Sequence, residues 1–215
     1  MKQRDIIIAL PKGRILEQAL PILKKANIFP EKSFFNKNDR KLKFDTNIPN
    51  IKIIIVRSFD VATFLIYGAA HLAIIGSDVL EEFSHSEIYS PIDLKIGQCR
   101  LVVATTEEIL CDEDPLTWSY VRVATKYPNL TSDHFKKRGV HADCIKLNGA
   151  MELAPSMGLC RRIVDLSESG KTLRANGLIE IEEIMKVSTR LAVNRSSYKT
   201  NFEQINNILK RFEKI

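Results

Sequence analysis

Aromatic side chains are scarce in this chain. They make up 7% of its 215 residues, with a single tryptophan, and none is interleaved with the basic clusters Lys37–Lys43, Lys136–Arg138 and Arg161–Arg162. Basic patches that bind nucleic acid usually carry stacking rings as well, so the formal net charge of +6 permits an anionic partner but gives RNA little support. The four cysteines (Cys99, Cys111, Cys144, Cys160) form no CxxC pair and have no histidine at zinc-ligand spacing. That excludes the common zinc patterns and predicts reduced thiols, mostly in the core. Long apolar runs are missing too. Ile6–Leu10 is stopped by Pro11 and Lys12, too short for a signal-peptide core, and no stretch approaches the ~20 apolar residues of a membrane span. The expected location is the cytoplasm, with neither membrane nor nucleic acid as partner. His71, His85, His134 and His141 have no matched partners at useful spacing, and no triad is visible.

What is present is ordinary globular material: 45% hydrophobic and 27% charged residues. Ile6–Leu10 reads as a buried strand, and from Arg14 the apolar residues Ile15, Leu16, Ala19, Leu20 and Leu23 recur at helical spacing. Ile51–Val56 repeats the strand, Phe59–Tyr67 the helix with Ser58 as its cap, and His71–Ile75 a third strand. The order starts again with strands at Cys99–Thr105, Val121–Thr125, Cys144–Leu147 and Ile163–Leu166, with helices near 130–137 and 151–157 between them. Apolar strands without alternation, separated by helices, predict sheets covered on both faces. The expected fold is α/β and two-lobed, like a periplasmic binding protein, each lobe a mostly parallel sheet flanked by helices. One lobe would comprise residues 1–90 plus 180–215, the other 91–179, with crossovers near 90 and 180 and a cleft between. A closing amphipathic helix is expected from about Tyr198 to Phe212.

The stretch RIVDLSESGKTL, Arg162 to Leu173, carries the chemistry: a strand ending near Asp165, a loop of small polar residues, then a helix start. Such a loop offers backbone N–H groups and the positive end of a helix dipole, which together cradle phosphate. Gly170 allows close approach, Ser169 and Thr172 supply hydroxyls, Lys171 a charge, and Asp165 can accept from sugar hydroxyls. GlyLysThr also invites a P-loop reading, but that motif needs a glycine where this chain has Asp165.

RIVDLSESGKTLRANGL, preceded by GAMELAPSMGL, closely resembles the signature of ATP phosphoribosyltransferases that binds phosphoribosyl pyrophosphate (PRPP). LPKGRI, VRSFDV, GAAHLAIIGSDVL, DLKIGQCRL, RVATKYPN and VSTRLAVNRSSYK are similar to the same family, in its order, over nearly the whole chain. The chain stops at Ile215, where long-form members append a regulatory domain, and so resembles the short form. The resemblance implies Mg²⁺-dependent transfer of the phosphoribosyl group to N1 of the adenine of ATP, opening histidine biosynthesis. It also implies a homodimer within a larger assembly and a regulatory subunit similar to histidyl-tRNA synthetase.

The family's motifs place Asp165 on the ribose hydroxyls and Ser167, Glu168, Ser169, Gly170, Lys171 and Thr172 at the 5′-phosphate, with Glu152 a second candidate for ribose or Mg²⁺. Mg²⁺ would be held mainly by PRPP, without fixed protein ligands. Lys12, Arg14 and Arg57 would face the cleft from the other lobe and stabilise pyrophosphate and the ATP phosphates. Four positions depart from the family pattern: an acid is replaced by Arg161, another by His71, and Glu168 and Lys171 occupy loop positions usually filled by smaller residues. Two rival classes remain: a ligand sensor, which would bind without releasing pyrophosphate, and an RNA-binding protein, whose affinity would depend steeply on salt.

Overall fold

The computed structural model describes residues 5–36 and 38–215; Lys37, in the first basic cluster, lies outside them. In chain order come β1 (Ile6–Pro11), α1 (Arg14–Lys25), β2 (Lys43–Asp45), β3 (Ile51–Val56), α2 (Ser58–Ile66), β4 (Leu72–Gly76), α3 (Ser77–Phe83) and β5 (Ile88–Asp93). Next are β6 (Cys99–Thr106), α4 (Glu107–Asp112), β7 (Tyr120–Thr125), α5 (Pro128–Lys137), β8 (His141–Lys146), α6 (Leu153–Ser156), β9 (Arg162–Ser167), α7 (Lys171–Ala175) and β10 (Leu178–Val187). The chain closes with β11 (Thr189–Asn194), α8 (Arg195–Thr200) and α9 (Phe202–Phe212).

Two compact units result: Met1–Gly97 with Ser188–Ile215, and Gln98–Val187. The chain passes from one to the other at 97 and 187 rather than near 90 and 180. Pairing in the sheets sets these points: Asp93 is still in register with Arg190 of β11, and Val187 with Cys99 of β6.

The first unit is built on a six-stranded sheet in the order β2-β3-β1-β4-β11-β5. Its strands β3, β1 and β4 are parallel, while β2, β11 and β5 pair antiparallel. The second has five strands in the order β10-β6-β9-β7-β8, parallel only across β9, β7 and β8. Both sheets are therefore mixed rather than mostly parallel. A parallel neighbour needs a long crossover, which α5 supplies between β7 and β8, whereas the antiparallel edge strand β2 runs on into β3 without one.

The apolar strands fail to alternate because helices cover both faces of the first sheet. Ile6, Ile8 and Leu10 point into one core with Leu23 of α1 and Ile205, Ile208, Leu209 and Phe212 of α9. Ala9 and Ala73 point into another with Val61, Ala62 and Leu65 of α2 and Val79 of α3. In the second unit Val102, Ala104, Ala124 and Ile163 pack under Ala154 of α6 and Leu173 of α7. The closing helix is broken at Asn201 (φ −126°, ψ 38°), where α8 ends and α9 begins. Helix α4 has no counterpart in the sequence reading, although Thr106 before Glu107 and Glu108 is a start signal; its Oγ1 accepts from Ile109 N at 3.3 Å. All four cysteines are free, but only Cys160 is buried, and Cys111 is exposed. No helix among the described residues is long and apolar enough to cross a membrane.

Candidate active site

In the second unit the parallel strands β7, β8 and β9 end on one edge of the sheet, so the chain leaving each strand opens there. Ligands of such sheets bind at the carboxyl ends of strands. Residues distant in sequence meet on that edge: Lys126 after β7, Glu152 after β8, and Asp165 near the end of β9. Their electrostatics register the meeting. Burial, by stripping water from the carboxylate, pushes the Asp165 pKa up to about 6. A hydrogen bond from Leu166 N to Oδ1 at 2.8 Å opposes this, the Glu152 charge raises it further, and the Lys126 ammonium lowers it. Lys126 was not singled out from the sequence; its place directly after a parallel strand, in RVATKYPN, was the available signal.

After β9 the chain turns through Glu168, Ser169 and Gly170 into α7. Gly170 is left-handed (φ 70°), so a larger residue is strained there, and its Cβ would also displace the end of the Arg174 side chain, 2.6 Å away at Nη1. Glu168, Ser169, Lys171 and Thr172 are exposed. No side chain caps the turn, and the first N–H groups of a helix lack intrahelical acceptors, so they are available to an anion. Helix α7 is only five residues long, so its dipole adds less than expected. The cradle depends on the loop itself. Ser167 differs from its neighbours: it is buried and donates its hydroxyl to Glu180 Oε1.

In the first unit the register Pro11↔Val56 puts the residues after β1 and β3 side by side. Lys12 N donates to Val56 O at 2.8 Å. Arg57, in extended conformation, stands at the head of α2 with its carbonyl accepting from Val61 N, and Arg14 is the first residue of α1. All three are exposed. The three cations named from the sequence thus follow β1 and β3 at the same edge of the sheet.

Arg161 and His71, singled out from the sequence, have local partners. Arg161 and Arg162 both pair with Glu113, and the buried Arg162 guanidinium lies 3.9 Å from the Trp118 ring centroid. His71 accepts from Ile7 N at Nδ1 (3.0 Å), which requires the ring to be unprotonated there, and burial lowers its pKa in keeping with that role. It is a structural residue of the first sheet. Asp78 lies buried in the first turn of α3.

The profile of the ATP phosphoribosyltransferase family matches residues 57–214. The ATP phosphoribosyltransferase of Paramagnetospirillum magneticum is 55% identical over 212 residues, 99% of this chain and 97% of that one. This chain belongs to the ATP phosphoribosyltransferase family. Among solved structures, the ATP phosphoribosyl transferase (HisG:HisZ) complex from Thermotoga maritima matches with a TM-score of 0.82 at 32% identity, over 97% of both chains. The periplasmic aliphatic sulphonate binding protein SsuA from Escherichia coli matches at TM-score 0.57 and 15% identity, over 99% of this chain and 68% of that one, and so shares the fold alone. Membership makes the chain a pentosyltransferase acting at the first step of histidine biosynthesis. ATP phosphoribosyltransferases use a metal ion. Among the described residues no group of three or more His, Cys, Asp or Glu side chains could hold one.

Proposed function

We propose that this chain transfers the phosphoribosyl group of PRPP to N1 of the adenine of ATP. The N1 lone pair forms a bond to ribose C1 as the bond from C1 to the pyrophosphate oxygen breaks. A purine nitrogen with its own lone pair needs no covalent nucleophile and no strong base. The work left to the protein is orientation and charge neutralisation.

The observation that carries this reading is the Asp165 carboxylate, half-buried and within electrostatic reach of Glu152 on the strand edge that also bears the loop from Glu168 to Thr172. Asp165 accepts from the ribose hydroxyls, most strongly once ionised above about pH 6. Glu152 holds the ribose or the substrate-borne metal, and the loop from Glu168 to Thr172 takes the 5′-phosphate. Lys12, Arg14 and Arg57 take the pyrophosphate and the ATP phosphates. Mg²⁺ is the metal this oxygen-rich donor set suits, and it supplies charge neutralisation on the departing pyrophosphate. A regulatory subunit similar to histidyl-tRNA synthetase completes the assembly around a homodimer of this chain, in the cytoplasm.

The test is mass spectrometry of the protein with ATP, PRPP, Mg²⁺ and pyrophosphatase. The expected product is ATP heavier by one phosphoribosyl group, lost on Asp165→Ala. PRPP binding without product points to a chain that waits for its regulatory subunit, and neither binding nor product rejects the reading.

A further inference from the structure

Ser167 lies inside the segment assigned to the phosphate, yet its only proton is already in use. Its Oγ donates to Glu180 Oε1, and the other oxygen of that carboxylate, Oε2, is 2.8 Å from Arg100 Nη2. A serine hydroxyl has one hydrogen to give, so Ser167 cannot donate to a phosphate while Glu180 holds it.

The sheet explains how these three residues meet. Strand β6 lies between β9 and β10. Arg100 is in register with Ser167 across one side, and Glu180 with Ala104 across the other. Arg100 and Ala104 are an even number of positions apart on the strand and share a face. That face lies under α7, whose Leu173 packs in the same core as Ala104. Glu180 also lies close to the loop's turn: a Cβ built on Gly170 would be 3.1 Å from its Oε1. Arg174 adds a second tie, donating from Nη2 to Ser169 O at 2.7 Å. Glu183 stands 3.8 Å from Arg100 on its other nitrogen. An unpaired carboxylate this near a phosphate would repel it; Arg100 removes that penalty.

We propose that Glu180, clamped by Arg100, is a positioning residue that holds Ser167 and the Gly170 turn in the shape that receives the 5′-phosphate. Ser167 is then a link in this brace and not a ligand of the phosphate, which is left to the loop N–H groups and the exposed hydroxyls of Ser169 and Thr172. The proposal rests on the reading of this loop as the PRPP site.

Steady-state kinetics of Ser167→Ala, Glu180→Ala, their double variant and Glu180→Gln test it, with the wild type assayed first. Each single alanine variant is expected to raise the KM for PRPP about tenfold, the scale of a charge-assisted hydrogen bond, with kcat and the KM for ATP nearly unchanged. The double variant is expected to be no worse than the poorer single one. Glu180→Gln should recover most of the loss, because its amide oxygen still accepts from Ser167. Multiplicative losses in the double variant would mean that Ser167 touches the phosphate by itself and would overturn the brace. Tighter PRPP binding in Glu180→Ala would overturn it too, since Glu180 would then oppose the phosphate, as would a fall in kcat at unchanged KM. A wild type that binds no PRPP sinks the assignment of the loop, and that failure shows before any variant is made.

Discussion

At the scale of the residue, Asp165 sets binding against stability. Its folded-state pKa of about 6 lies above its ordinary value of 3.8. A raised carboxylate stabilises the fold at pH values below the ordinary value and loses that contribution as pH climbs through about 6. Near pH 8 the ionised group costs about 3 kcal/mol. Asp165→Asn should therefore unfold at higher denaturant than wild type at pH 8, match it near pH 4, and lose PRPP affinity at pH 8, where the wild-type group is ionised; an equal stability shift at both pH values would refute the burial account. His71 acts in the opposite sense, because its lowered pKa favours the fold when neutral and that contribution is lost on acidification. Arg57 is exposed at the head of α2. Arg57→Ala should lower kcat/KM by about 100-fold with an unchanged circular dichroism spectrum, and a loss of only a few-fold would remove it from the chemistry.

At the scale of the element, termini decide where these side chains sit. Buried Asn194 serves two helices: Oδ1 accepts from Ser197 N at 2.7 Å to start α8, and Nδ2 donates to Leu65 O at 2.9 Å to finish α2. Asn194→Ala removes a cap and the Nδ2 bond to Leu65 O, which keeps Gly68 N as a donor, so it should cost about 2 kcal/mol in urea denaturation. Asn194→Asp keeps the cap but loses the donor, and should recover only part of the loss. The alternation-free strands and helical spacings were legible in the sequence because each face of a buried strand must be apolar. The break at Asn201 was not: the apolar spacing runs on past it, and only backbone geometry shows the interruption. Strands β2 and β5 were equally hidden, since short edge strands owe their structure to partners far along the chain.

At the scale of the whole molecule, Trp118 offers a probe of the second unit. It is the chain's one tryptophan, held against Arg162 in the unit that carries the phosphate loop. Its fluorescence therefore follows the unfolding of the unit to which PRPP is assigned. PRPP at about 100 times its dissociation constant should raise the fluorescence-detected stability by about 2.7 kcal/mol; an unmoved midpoint would mean that PRPP does not bind there. The sequence by itself determined the α/β class and the order of most strands and helices, and it offered a contiguous loop to assign to phosphate, because backbone pattern and loop chemistry are local properties. It also singled out Lys12, Arg14 and Arg57, each close behind a readable strand. Only the tertiary structure decided that Lys126 and Glu152 act on Asp165, that Arg161 and Arg162 share Glu113, and that Glu180 accepts the hydrogen bond of Ser167. Those relations depend on which strands lie side by side and in what register, and strand neighbours are chosen by packing between segments far apart in the chain.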